Sequence, residues 1–264
     1  MYKTIKLLLS TLLILTLNTH AETTKALEYS KPPYDQRLND YPRAKSWYQM
    51  ANDDSAAAYN IGLIYQDHIK DYKKAEIWYK KAWSIKNDKD IAFNMGHLYN
   101  YTFQDYKNAV IWYQRSYKLG EKEAAFSLAL LYKKQLKDYE KAIKWYTIAD
   151  KMGQSNAANN LGYLYDKTLG DYPNAILWYK KGVKNKNSLA IKNIASLYHK
   201  RGDNITAVAY FISLITLNSK YEKEKVLKYM STKWKIDNIT IKKGYELQLN
   251  SNIIPEELKY KGGI

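Results

Sequence analysis

The stretch DYPNAILWYKKG, residues 171–182, decides how this chain folds, because near-copies of it run along the sequence. DYPRAKSWYQMA starts at Asp40, DYKKAEIWYKKA at Asp71, DYKNAVIWYQRS at Asp105 and DYEKAIKWYTIA at Asp138; a worn version, DNITAVAYFISL, starts at Asp203. The starts are 31, 34, 33, 33 and 32 residues apart. A sustained period of this length marks a solenoid of stacked repeats. Within DYxxAxxWY the aspartate is a good N-cap, since its carboxylate can accept from the free amides of a first helical turn. Pro42 and Pro173 fall in that first turn, where a missing N–H costs little. Ala44, Ala75, Ala109, Ala142, Ala175 and Ala207 follow each Asp by four residues. Trp47, Trp78, Trp112, Trp145, Trp178 and Tyr210 come three later, on the same helical face.

A companion helix precedes each of these: SAAAYNIGLIY, DIAFNMGHLY, EAAFSLALLY, NAANNLGYLY and LAIKNIASLY. Its small residue is Gly62, Gly96, Ala129, Gly162 or Ala195, with Tyr65, Tyr99, Tyr132, Tyr165 or Tyr198 three residues on. A glycine inside a helix is destabilising by about 1 kcal/mol relative to alanine. Its return at one register predicts a neighbour so close that a Cβ would obstruct it.

The phrase AxxNLGxLY followed by DYxxAxxWYxKA resembles the Sel-one-like repeat, a relative of the tetratricopeptide repeat, over about residues 40–218. Typical Sel-one-like units are longer, with a glycine-rich loop between the helices. Here the link is short, as in DKTLGDY, so the unit length is nearer a tetratricopeptide. A cysteine-rich branch of the family is credited with penicillin binding, and this chain has no cysteine. The resemblance implies an all-α fold, a right-handed α-solenoid of stacked antiparallel helix pairs, whose concave groove docks ligands. From Ser219 the repeat is lost, and 219–264 read as C-terminal capping helices and a tail, because a last repeat would otherwise expose an apolar face.

The first 21 residues read as a secretory signal peptide: Lys3 and Lys6, an apolar LLLSTLLILTL (7–17), and Thr19-His20-Ala21 before the cut. An apolar run of 11 residues is shorter than the ~20 needed to span a bilayer. A periplasmic or secreted chain without a transmembrane segment is expected. Residues 22–39, with their double proline, read as an extended lead-in. The formal charge of +16 becomes +14 without Lys3 and Lys6, as 40 basic side chains then face 26 acidic ones. Export leaves nucleic acid the least suitable partner for that charge. The lysines read as scattered through the repeats, as on a solvated face.

Turning the companion helix through 100° per residue from its small position puts offsets −3, −2, +1, +4 and +5 opposite the core face. At −3 stand Tyr59, Phe93, Phe126, Asn159 and Lys192; at −2, Asn60, Asn94, Asn160 and Asn193, with Ser127 in the third copy. At +1 stand Leu63, His97, Leu130, Tyr163 and Ser196, and at +4 and +5 Gln66, Asp67, Asn100, Tyr101, Lys133, Lys134, Asp166, Lys167, His199 and Lys200. These positions line the groove that the resemblance implies. Solvent-facing aromatics there suggest a partner patch. A row of asparagines could grip an extended backbone, or could bond to the next helix. With lysine at −3 only in the last repeat and no asparagine at +1, a carboxylate-clamp groove is not expected.

No HExxH, GxSxG, GxGxxG or GxxxxGK[ST] is present, and His68, His97 and His199 stand at no metal-ligand spacing. No cofactor, metal or catalytic residue is expected. The sequence therefore points to a non-enzymatic scaffold that binds one protein partner, acidic if the basic charge is used. Exported proteins similar to this one often serve as periplasmic immunity proteins against type VI secretion toxins, notably lipases. A secreted host-interaction factor is the alternative, and a cell-envelope hydrolase the competing class. The sequence leaves the oligomeric state open.

Overall fold

The computed structural model describes residues 33–217 and 221–264. The expected signal peptide, its cut at Ala21, residues 22–32 of the lead-in and the end of the repeats at 218 lie outside the described residues. Every regular element among the described residues is helical, and the chain divides into two compact units at Leu131. In the first unit α1 (Ala44–Met50), α2 (Ser55–Leu63), α3 (Tyr72–Ile85), α4 (Lys89–His97), α5 (Tyr106–Lys118) and α6 (Lys122–Leu131) each pack on the helix before. In the second, α7 (Tyr139–Lys151), α8 (Ala157–Tyr163), α9 (Tyr172–Lys184), α10 (Ser188–Lys200) and α11 (Asn204–Ile212) do the same. The last elements are α12 (Leu214–Leu217), α13 (Lys223–Thr232) and α14 (Asn238–Asn250). This is an all-α repeat fold of stacked helix pairs.

The recurring glycine has the close neighbour that its register predicts. A Cβ on Gly62 would stand 2.6 Å from two ring carbons of Tyr79, one on Gly96 2.5 Å from Tyr113, and one on Gly162 2.6 Å from Tyr179. These are the tyrosines of the WY pair, and Tyr79, Tyr113, Tyr146 and Tyr179 are all fully buried. Trp78 and Trp112 are buried as well, whereas Trp47, Trp145 and Trp178 are half-buried. In the middle four pairs the deepest anchor is thus the tyrosine after the tryptophan, and at Gly62, Gly96 and Gly162 it lies against a bare stretch of the companion helix.

Four companion helices end in a π-helical turn: Ile64–Ile69, Leu98–Phe103, Tyr132–Leu136 and Leu164–Leu169. The cause is visible in the spacing. The capping aspartate follows the companion tyrosine at the sixth position in these four repeats, and Asp203 follows Tyr198 at the fifth. The aspartate N–H nonetheless returns to the same tyrosine carbonyl throughout, at 2.9 Å for Asp71 to Tyr65, Asp105 to Tyr99 and Asp171 to Tyr165, and 3.0 Å for Asp138 to Tyr132 and Asp203 to Tyr198. The additional residue is taken up by widening the last turn, and α10, without it, stays α-helical. A left-handed residue follows each turn: Lys70, Gln104, Lys137 and Gly170. Only the last has the residue type that adopts this conformation freely.

Asp71, Asp105, Asp138, Asp171 and Asp203 cap their helices, each accepting from the backbone N–H three residues on at 3.0–3.1 Å. Asp40 does not. Residues 36–40 form a 3-10 turn and α1 starts only at Ala44, without a side-chain cap, so Pro42 precedes the helix. That turn also replaces the extended backbone expected up to residue 39. Asp35 fixes it to the first repeat: its carboxylate accepts from Arg37, Lys74 and Tyr65 Oη, while Arg37 also reaches Asp71 at 2.8 Å. The Arg37 guanidinium beside it holds the Asp35 carboxyl well below the usual carboxylate range.

In the second unit α14 lies against α11, with Gly244 allowing approach to Val208. The following tail is bound to its own unit. Gln248 pairs with the Tyr260 backbone, donating to its carbonyl at 2.7 Å and accepting from its N–H at 3.1 Å, and Thr216 donates to the Leu258 carbonyl at 3.0 Å. Ile254 and Leu258 are buried in the same core. Lys259 and Lys261 hold the Glu256 carboxylate down to about 2.

Candidate functional site

The expected groove positions fall on both units. In the first, Tyr59, Asn60, Leu63, Phe93, Asn94, His97, Phe126 and Leu130 are half-buried, and Tyr101 is 61% exposed. The aromatic wall is therefore not a free surface. Tyr59 leans on Tyr79 with ring centroids 5.6 Å apart, and Phe93 meets His97 at 4.5 Å and Tyr113 at 5.8 Å. His97 in turn meets Tyr101 at 5.3 Å and Tyr113 at 5.7 Å. Buried Tyr79 and Tyr113 of the second helices thus pack against Tyr59, Phe93 and His97, which are only partly open to solvent.

The asparagine row is engaged within the scaffold. Asn94 donates to Tyr59 Oη, Asn193 donates to Asn159 Oδ1 at 2.8 Å, and Asn160 donates to the Asn156 carbonyl at 2.9 Å. The first two bonds join successive repeats. Asn159 is a correction: at 6% exposure, with its amide oxygen bonded to Asn193, it has no surface to offer a partner. Asn94 and Asn193 stay half-buried and keep further donor and acceptor capacity.

Desolvation by the surrounding rings lowers the pKa of His97. The sign follows from linkage: a base whose folded pKa lies below its unfolded value, about 6.5, binds more protons when unfolded. The stability held by neutral His97 is complete above about pH 6.5 and is lost as the pH falls towards the folded value. Thermal melts at about pH 7.5 and 5.5 are expected to show this loss, and His97→Phe to flatten it. An unchanged pH dependence in the variant would remove His97 as its source.

In the second unit Tyr163 is 41% exposed with the Lys133 ammonium 4.7 Å from its ring centroid, and burial pulls the Lys133 pKa down. Lys134 and Lys167 are exposed, the latter paired with Asp166 at 2.6 Å. Lys192 and Asn193, with Ser196, form one wall of an open pocket of about 390 Å³. Buried Phe211 and Leu214 line it from below, and α13 and its end supply Tyr229 and Trp234. The rings form one cluster: Phe211 stacks on Tyr229 at 5.2 Å, and Trp234 lies 4.7 Å from Phe211 and stacks on His199 at 4.7 Å. The Lys192 ammonium lies 4.8 Å from the Tyr221 ring centroid.

Sequence reasoning missed the half of this site that comes from residues 221–234, because they follow no repeat register. The signal available was the aromatic content of YEKEKVLKYMSTKW at the end of a solenoid. A second cleft, of about 770 Å³ in the first unit, is lined by Asp53, Asp54, Asp88 and Asp90 beside Tyr59. Asp54 and Asp88 there serve as N-caps of α2 and α4. Among the described residues no group of three or more His, Cys, Asp or Glu side chains could hold a metal ion.

The lysines are less evenly scattered than the sequence pattern suggested. Residues 132–264 carry 24 Lys and Arg against 12 Asp and Glu, a net of +12, whereas residues 33–131 carry 14 against 12, a net of +2. Nearly all of the excess charge belongs to the unit with the aromatic pocket.

The Sel1 repeat family matches residues 25–54, 92–121 and 122–153, and the tetratricopeptide repeat family matches 55–89 and 155–188. No curated protein is significantly similar in sequence. Among solved structures, the chain is similar to a protective antigen of uropathogenic Escherichia coli strains with an SLR fold: 21% identity, TM-score 0.53, over 78% of this chain and 47% of the antigen. The chain thus spans about half the length of that protein. A Sel1 repeat protein from Oxalobacter formigenes gives 22% identity and a TM-score of 0.46 over 76% of this chain and 98% of its own. An immunity protein from Pseudomonas aeruginosa gives 17% and 0.38 over 82% of each chain. The chain thus carries repeats of both the Sel1 and the tetratricopeptide type.

Proposed function

We propose that the chain is an exported, non-enzymatic scaffold that holds one protein partner against the companion helices of its repeats. The observation that carries this reading is the pocket of the second unit. Six apolar or aromatic side chains there lie beside two lysines, a serine and an amide, with no carboxylate or imidazole in the lining. Such a lining suits a partner side chain, with rings to desolvate it and cationic, hydroxyl and amide groups at the edge to orient it. Sel1 and tetratricopeptide repeats are in general interaction scaffolds, which agrees. Among the described residues no helix is long and apolar enough to cross a membrane.

The finer form of the proposal is a periplasmic immunity protein that blocks a type VI secretion toxin such as a lipase. The signal-peptide pattern of residues 1–21 supports the compartment. The basic second unit suits an acidic toxin and would speed its capture. A secreted factor acting on host proteins is the alternative, and a cell-envelope hydrolase stands behind both.

Tagged chain used as bait in periplasmic extract of its own organism is expected to recover one stoichiometric protein. That protein, expressed alone in a bacterial periplasm, should arrest growth, and co-expression of this chain should restore it. A partner of host origin would favour the alternative. Turnover of a cell-wall or lipid substrate by the purified chain would replace the scaffold reading with the enzyme.

A further inference from the structure

The pocket of the second unit does not end at its own rim. On α10, Asn193, Ser196 and Lys200 stand at i, i+3 and i+7, one helical face. Along this strip Asn193 and Ser196 line the aromatic pocket, and Lys200 lines a second opening with Lys167, Arg201, Tyr172, Leu197 and one carboxylate, Asp166. Asp166 is already committed, since it pairs with Lys167 at 2.6 Å and accepts from Tyr179 Oη at 3.3 Å. Arg201 lies over the Tyr172 ring at 4.7 Å. One end of the strip is thus apolar with a cationic edge, and the other is cationic.

We infer that this strip binds an acidic, extended peptide segment of a protein partner, with a large apolar side chain in the aromatic pocket and a carboxylate over Lys200 and Arg201. The inference deepens the proposed function and rests on the chain being a protein-binding scaffold. Charge complementarity selects the occupant, because the pocket lining holds Lys192 and Lys225 with no acidic side chain, in a unit with a net charge of +12. Lys225 pairs with Glu222 at 2.7 Å, but both are well exposed, and an exposed i,i+3 pair is weak enough to be redirected. The aromatic cluster supplies apolar contact that a partner can desolvate, the usual centre of a docking site.

Helix geometry sets the register. Residues 193 to 200 span about 10 Å along α10 at 1.5 Å per residue. An extended peptide covers that length in about three residues. A carboxylate about three positions from the apolar anchor therefore reaches the basic end, while one directly beside the anchor faces Lys192 and Lys225.

The test uses the purified chain and a short fluorescein-labelled peptide with one phenylalanine, a glutamate beside it and a second glutamate three positions on, in a glycine–serine background. Saturable anisotropy is expected, weakened by salt. Replacing both glutamates with lysine, or phenylalanine with alanine, should weaken binding about tenfold or more. Moving the distant glutamate next to the first, at unchanged net charge, should weaken it several-fold. Ser196→Trp, which fills the pocket, and Lys200→Glu, at an exposed site, should each do the same as the peptide changes while leaving the thermal midpoint in place.

Absence of saturable binding, equal binding of the lysine peptide, or indifference to both variants would overturn the inference. Binding of phenylacetate as tightly as the peptide would make the pocket a small-molecule site, and a dimer abolished by Ser196→Trp would make it a self-association face; either result also overturns it. If both variants still capture the periplasmic partner, the peptide strip falls and the scaffold stands. If the peptide binds as described and no protein partner exists, the scaffold reading fails instead.

Discussion

Tyr79→Ala is expected to destabilise the first unit by about 3–5 kcal/mol, the range for emptying a buried aromatic site. The ring is fully buried, lies against Gly62, and ends in a hydrogen bond to Gln66 at 3.1 Å. Gly62→Ala tests the same contact from the other side. Its methyl group would stand 2.6 Å from two ring carbons that have no room to retreat. Overpacking of this kind costs about 1–3 kcal/mol, which outweighs the ~1 kcal/mol that alanine gains in helix propensity. In the Tyr79→Ala background the obstruction is gone, so Gly62→Ala should become stabilising. A double-mutant cycle by urea titration reads this reversal directly. The same sign in both backgrounds would mean that the ring does not explain the glycine.

Changing Tyr59, Phe93 and Phe126 together to alanine is expected to lower stability by about 7 kcal/mol or more, since a half-buried ring hides roughly 100 Å² at about 25 cal/mol per Å² and aromatic pairing adds to it. The sequence pattern alone predicts the opposite, a solvent-facing wall whose removal abolishes capture and leaves the fold almost untouched. The difference is the cover provided by Tyr79 and Tyr113, which meet Tyr59 and Phe93 at 5.6 and 5.8 Å. Thermal denaturation of the triple variant decides between them. A shift of no more than a degree or two would return these rings to the surface.

The fold was legible because its determinants are periodic. The Asp caps, the small residues and the aromatic pairs recur at about 33 residues, and each has one local physical meaning. The companion glycines even announced a close neighbour, though not which one: a helical wheel places Tyr79 on a face but cannot say that it reaches further than Trp78. The first repeat was misread for a related reason. DYP at Asp40 has the letters of a cap, yet the Asp35 network with Arg37, Lys74 and Tyr65 shapes the backbone ahead of it. Contacts between residues 30 or more positions apart are invisible to a local motif.

The candidate site was legible only on its repeat side. Lys192 and Asn193 came from the register of α10, whereas Tyr229 and Trp234 belong to helices outside the repeat and had no register to read. Asn159 was placed on the groove by angle alone. It is buried and bonded to Asn193, one repeat later, which makes the asparagine row partly a set of rungs between repeats.

The π-helical turns have a consequence for how such a chain can change over time. An insertion inside a helix ordinarily rotates everything downstream by 100° and scrambles the packing. Here the surplus residue is swallowed at the seam, and the aspartate returns to the same tyrosine carbonyl whether four or five residues intervene. Each repeat therefore has a built-in expansion joint. Length can drift there one residue at a time while the anchoring rings keep their partners, so related chains can differ in unit length without differing in how their units interlock.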